Sequence, residues 1–152
     1  MGSAEQISRP RTGIQPFIEI MDCTLRDGEQ TSGVSFLPHE KLMIARTLLK
    51  DVNVDRIEVA SARVSEGEKD AVKMICRYAA QIGKADSVEV LGFVDGYQSI
   101  DWIVECGCQT VNLLTKGSLK HCTQQLGKTP EEHIADIIDT ILYARSRGIS
   151  VN

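Results

Sequence analysis

The sequence predicts an α/β protein built on a parallel sheet, and three observations lead to that class. Short runs rich in β-formers alternate with longer segments whose apolar residues recur at helical spacing, in the order βαβαβαβα and then β. Repeated βα units imply parallel strands joined by right-handed crossovers. Each of the first four strands also carries a polar residue inside its apolar run: Glu19, Glu58, Glu89 and Asn112. Two architectures satisfy this order. One is an open flavodoxin-like sheet, which five strands complete. The other is a (β/α)₈ barrel, which takes about 250 residues, so that this chain would be its first half.

Strand one is expected over residues 17–22, followed by a loop to about residue 36. Pro38 suits the first turn of a helix, and Leu42, Ala45, Leu48, Leu49 and Val52 form its apolar stripe. Strand two covers residues 56–60, and Ser65 with Glu68 reads as a capping box. Val72, Ile75, Ala79 and Ile82 line the next helix, which Gly83 stops. Strand three is 88–93, and a helix across about 97–106 carries Ile100, Ile103 and Val104 up to Gly107. Strand four is 110–114, with a polar loop after it. Thr129-Pro130-Glu131-Glu132 is the clearest helix start, with Ile134, Ile137, Ile138, Ile141 and Leu142 as the expected buried stripe. Gly148 ends that helix and residues 149–152 begin a fifth strand.

Parallel strands covered by helices on both faces normally read as unbroken apolar runs. A polar residue in all four strands fits a closed interior near a polar site, and partial exposure near strand ends accounts for it equally well. In a barrel, the inward set is Ile18, Ile57, Val90 and Leu113 or their strand neighbours.

Composition narrows the function. The 152 residues are 42% hydrophobic and 25% charged, enough for one domain with a real core. The net charge of −4 and the lack of a basic stripe argue against a nucleic-acid surface. No apolar run reaches membrane-span length, and no signal-peptide core is visible, so no membrane partner and a cytoplasmic location are expected. Residues 1–16 read as a flexible lead-in. Cys23, Cys76, Cys106, Cys108 and Cys122 form an odd set without a CxxC pair and read as reduced thiols. Cys106, Cys108, His121 and Cys122 fit no common zinc spacing. His39, His121 and His133 read as surface or helix-face histidines.

The chemistry concentrates in Asp22-Cys23-Thr24-Leu25-Arg26-Asp27-Gly28-Glu29-Gln30, at the C-terminal end of the first strand. That end of a βα unit is where α/β folds place reacting groups. A guanidinium is a rigid fork of donors for a carboxylate or a growing oxyanion, and a neighbouring carboxylate offers hard oxygen to a divalent metal. A solvated Asp-Gly turn explains the same spacing.

This nine-residue run resembles the first-strand signature of the acetyl-CoA-dependent 2-oxo acid synthases of the metallolyase type: 2-isopropylmalate, homocitrate and citramalate synthases. The resemblance continues through residues 54–65, 91–96, 111–118 and 126–130, covering nearly all of 17–152. It implies an α/β fold that is the first half of a TIM (β/α)₈ barrel, about four βα units plus the start of strand five. It implies a partial catalytic domain over 17–152, belonging to an acyltransferase that acts on a small-molecule 2-oxo acid with acetyl-CoA as co-substrate. The closest look is to citramalate synthase, which condenses acetyl-CoA with pyruvate. Isopropylmalate synthase and homocitrate synthase are the alternatives, and a flavodoxin-like metal-binding or signalling domain is a distant one.

By resemblance, Asp27 matches the ligand of a divalent metal (Mg, Mn or Zn), and Arg26 matches the arginine that stabilises the developing alkoxide. Gln30 orients part of the same shell. Leu91 and Leu114 match positions that contact the 2-oxo acid side chain. Two leucines leave a second carboxylate unpaired and desolvated, at a cost of about several kcal/mol, and suit a methyl group. Glu29 and Glu58 read as a loop charge and a buried structural acid. The family's His-x-His metal pair and its acid/base carboxylate belong to later strands that this sequence does not hold. The chain alone is therefore expected to be inactive, and the whole enzyme to be a homodimer in amino-acid biosynthesis.

Overall fold

The computed structural model describes residues 17–152; the expected lead-in at 1–16 lies outside them. Five parallel strands form one sheet in the order β1-β2-β3-β4-β5. They are β1 (Met21–Asp22), β2 (Arg56–Ser61), β3 (Val88–Phe93), β4 (Thr110–Leu114) and β5 (Ser150–Val151). The helices between them are α1 (Pro38–Arg46), α2 (Glu66–Gln81), α3 (Gln98–Cys106) and α4 (Pro130–Ser146). A doubly wound sheet reverses direction and places its first strand centrally. Strict sequential order is that of a barrel wall, which removes the flavodoxin-like alternative.

Alternation along each strand divides the sheet into two faces. Ile57, Val59, Val88, Val90 and Val111, all without exposed surface, belong to the core shared with the helices. Gly92 lies on this face because a Cβ there would meet Val111 Cγ2 at 2.6 Å. The opposite, concave face carries the strand neighbours: Glu58, Glu89, Leu91 and Asn112. Asn112 Nδ2 donates to Glu58 Oε1 at 2.7 Å, and Asn152 Nδ2 donates to Glu89 Oε2 at 3.2 Å. Each bond skips the intervening strand. Barrel interiors are layered in this way, with side chains from alternate strands sharing a level.

Several expectations need correction. β1 is two residues long instead of spanning 17–22, because the Asp55 carboxylate takes the Ile20 N–H at 2.8 Å and pairing with β2 begins only at Met21. β2 carries one extra residue between Glu58 and Ser61 relative to β3, a bulge that buries both Val59 and Ala60. The capping box of α2 is half formed: Ser65 Oγ accepts from the Glu68 N–H at 3.1 Å, but the Glu68 carboxylate turns to Lys41. The helix begun by α1 widens into π-type turns over Thr47–Val52, where the Lys84 ammonium donates to the Leu49 carbonyl and the Asn53 side chain at its end.

The largest correction concerns α4. Its Thr129–Glu132 capping box forms as expected, but His133, Thr140 and Ala144 are its buried residues. Ile134, Ile138 and Leu142 are 56%, 52% and 59% exposed, while Ile137 and Ile141 are half-buried, so only part of the expected stripe is turned inward. His133 is correspondingly not a surface histidine: its Nε2 accepts the Lys116 N–H at 3.1 Å beneath the loop that follows β4.

Candidate active site

The turn after β1 is held by its own backbone. Asp22 accepts from the Thr24 N–H at 2.9 Å and from the Thr24 hydroxyl at 3.1 Å. The Cys23 carbonyl accepts three N–H groups, from Arg26, Asp27 and Gly28, at 3.1, 2.8 and 3.2 Å. A single 3₁₀ turn, Gly28–Gln30, follows. This rolled chain buries Leu25 and leaves Arg26 and Asp27 at the mouth of the concave face.

Arg26 is aimed by two carboxylates. Its Nε–H donates to Glu58 Oε2 at 2.5 Å and its Nη1 to Asp27 Oδ1 at 2.7 Å. Glu58 is fully buried, the Arg26 side chain is 19% exposed and Asp27 is 64% exposed. Burial works against the guanidinium charge, but the hydrogen bond and charge of Glu58 outweigh it and raise the pKa further. Among the described residues Nη2 has no hydrogen-bond partner, so one edge of the fork remains for a ligand. The Cys23 thiol is pushed up, first by burial and then by the Glu58 charge, and stays neutral beside this pair.

Glu58 in turn rests on Asn112 of β4, and Asn112 pairs in register with Leu91 of β3. Leu91 is thus beside the group that supports Arg26, and it is 9% exposed. Leu114 is 43% exposed and sits opposite Phe93 at the strand ends. Gln30 is exposed and, with Arg26, Glu29 and Ser61, lines a hollow of about 390 Å³ between the β1 and β2 loops. A larger hollow of about 550 Å³ lies against the outer side of α1, lined by Met43, Arg46, Lys50 and Asp51, away from these groups.

Asp27 fits a divalent metal as one hard, exposed oxygen ligand. Such ions take about six ligands, and among the described residues no three His, Cys, Asp or Glu side chains stand close enough to hold one. Asp27 alone does not make a metal centre.

Arg26, Asp27 and Gln30 share one turn; Leu91 and Leu114 lie on the concave face that Arg26 reaches through Glu58, while Gln30 lines the hollow between the β1 and β2 loops, which neither leucine lines. The supporting residues Glu58 and Asn112 had a signal, as polar residues inside strands. Glu29 is not a loose loop charge: its Oε1 accepts the Phe36 N–H at 2.8 Å and its Oε2 pairs with the Lys41 ammonium at 2.6 Å. Lys41 was missed, although it stands in line with Ala45 and Leu49 on the buried stripe.

Known proteins share this framework. A family model described as HMGL-like matches residues 17–152. An (R)-citramalate synthase CimA of Methanocaldococcus jannaschii is 36% identical over 135 residues, covering 88% of this chain and 26% of that protein. A 2-isopropylmalate synthase of the same organism is 37% identical over 88% of this chain and 25% of its own length. A homocitrate synthase AksA of Methanopyrus kandleri is 38% identical over 87% of this chain and 32% of its own. The chain therefore spans between a quarter and a third of the length of these relatives. No helix among the described residues is long and apolar enough to cross a membrane. The chain belongs to the HMGL-like family, its parallel sheet is part of that family's TIM barrel, and its relatives are 2-oxo acid synthases.

Proposed function

We propose that residues 17–152 are part of the catalytic domain of a citramalate synthase-like acyltransferase, which condenses acetyl-CoA with pyruvate. The observation that carries this reading is the Arg26 fork, fixed at Nε and Nη1 by Glu58 and Asp27 and, among the described residues, open at Nη2. A fork preoriented in this way stabilises charge that develops on a ketone oxygen without reorganising during the reaction. Half-burial of Arg26 strengthens that interaction relative to water.

The proposed reaction makes a bond between the acetyl methyl carbon and the ketone carbon of the 2-oxo acid. The methyl group loses a proton to a base, and the ketone oxygen becomes an alkoxide and is then protonated. Water cleaves the thioester, releasing the acid and free CoA thiol. A divalent metal, once bound, would supply Lewis acidity at the substrate's carboxylate and ketone oxygens, and Asp27 is the ligand this chain offers. Arg26 receives the oxygen on which charge grows, Glu58 holds Arg26, and Gln30 is the polar group placed to orient the substrate. Leu91 and Leu114 form the apolar wall at the substrate's side chain and favour a methyl group over a second carboxylate. A cytoplasmic setting in amino-acid biosynthesis goes with this reaction.

The test is the release of CoA thiol by the purified protein, in the longest form its gene encodes, with acetyl-CoA and each of pyruvate, 2-oxobutanoate, 2-oxoisovalerate and 2-oxoglutarate. The expected order places pyruvate first in kcat/KM. Preference for 2-oxoisovalerate makes the protein an isopropylmalate synthase, preference for 2-oxoglutarate a homocitrate synthase. No thiol release with any of the four removes the reading.

A further inference from the structure

Lys41 is the most deeply buried cationic side chain among the described residues, at 1% exposure. Its ammonium meets Glu29 Oε2 at 2.6 Å and both oxygens of Glu68 at 2.7 Å. It also donates to the Leu25 carbonyl at 3.2 Å and, more weakly, to the Val59 carbonyl at 3.5 Å. These partners belong to separate pieces of chain. Leu25 immediately precedes Arg26, and Glu29 follows Asp27 by two residues, so the ammonium grips the turn on both sides of the Arg26–Asp27 pair. Val59 neighbours Glu58, the residue that holds Arg26 Nε. Glu68 lies in the first turn of α2, whose start adjoins the hollow that Arg26 lines. Glu29 passes the restraint onward through its bond to the Phe36 N–H at 2.8 Å.

A buried ammonium between two carboxylates is costly to assemble and is weak evidence for stability alone. Its geometry here serves location: one charge ties the β1 turn, β2 and α2 together next to the residues that flank and hold Arg26. We propose that Lys41 is a positioning residue that sets the aim of Arg26 through Leu25 and Glu29; its catalytic consequence rests on the condensation reading above, its structural consequence does not. A misplacement of about 1 Å remote from the reacting atoms lowers rates by about 100-fold.

Two readouts separate the claims. The first is the Arg26 Nε–H resonance in isotopically labelled protein, which reports whether the bond to Glu58 persists and needs no activity. The second is kcat and KM per folded enzyme in the thiol-release assay. Lys41→Met is expected to leave Arg26 Nε–H in fast exchange with water and to lower kcat by about 10- to 100-fold with a smaller change in KM. Lys41→Arg, which keeps the charge, is expected to recover at least part of both signals. Should Lys41→Met not fold, Glu29→Gln weakens only the tie to the turn and leaves the Lys41–Glu68 pair in place; it is expected to speed Arg26 Nε–H exchange and lower kcat by about 10-fold. A folded Lys41→Met or Glu29→Gln protein with wild-type Nε–H exchange and wild-type kcat overturns the proposal. Loss of Nε–H protection in a protein whose wild type shows no condensation with any 2-oxo acid supports the positioning role and overturns the function instead.

Discussion

Glu58→Leu takes away a carboxylate that two donors share. Arg26 Nε–H approaches it at 2.5 Å and Asn112 Nδ2–H at 2.7 Å, and the residue has no exposed surface. Leucine fills a similar volume but leaves both donors without an acceptor. Removing one partner of a buried pair costs about 3–5 kcal/mol. Arg26 keeps 19% exposure and its bond to Asp27, so water and Asp27 recover part of that loss, and about 2–4 kcal/mol is expected. Glu58→Gln is milder. Its amide oxygen can keep Arg26, and Asn112 can turn its own oxygen toward the new NH₂ group. Only the charge assistance is lost, about 1–2 kcal/mol. Urea titrations followed by fluorescence of the buried Trp102 give both values from the midpoint shift at constant slope. A Glu58→Leu protein as stable as the wild type would mean that Arg26 swings into solvent at no cost, and the argument that Glu58 aims it would fail.

Three further outcomes are expected. Leu91→Ala in the enzyme should raise relative kcat/KM for 2-oxoisovalerate over pyruvate by about 10-fold or more, since one methylene in such a wall is worth about 1–3 kcal/mol; an unchanged substrate ratio places Leu91 outside the wall. Asp27→Asn should abolish turnover yet move stability by no more than about 0.5 kcal/mol, because Asp27 is 64% exposed, and calorimetry should show Mn²⁺ binding to the 152-residue chain weaker than about millimolar; micromolar binding lost in the variant contradicts the one-ligand reading. Burial, opposed by Lys69 and Lys73, pushes the Cys106 thiol from 9.0 to about 12, so at pH 8 its thiolate fraction falls about 1,000-fold and alkylation read by mass spectrometry should slow alike, recovering as pH rises; modification at the rate of a free cysteine refutes its burial.

Local signals carried much of the fold. The limits of β3 and β4 follow from their β-formers, and Gly83, Gly107 and Gly148 each take the positive φ that lets a helix stop. The face that α4 turns inward was only partly legible, because periodicity locates an apolar stripe and cannot say that His133, Thr140 and Ala144 beside it are the most buried residues. The length of β1 depends on Asp55, a residue distant in sequence that takes the Ile20 N–H first. At the site, Arg26 and Asp27 stand out as neighbours in one turn. Their support does not: Glu58 and Asn112 lie 54 positions apart and meet only because strands two apart share a level of the concave face. Lys41 was hidden for the same reason, since a lysine on a buried stripe becomes meaningful only when Glu29 and Glu68 converge on it.

Arg26, as the group that receives developing negative charge, is the residue on which the proposed chemistry most depends. The decisive measurement is kcat for acetyl-CoA and pyruvate in Arg26→Gln and Arg26→Lys enzymes, each first shown to be folded. Losing one preoriented donor of this kind lowers kcat by about 100- to 1,000-fold, and lysine, lacking the planar fork, should recover little of it. Folded Arg26→Gln enzyme with a kcat within about 3-fold of the wild type, against that expected 100-fold loss, would contradict the account.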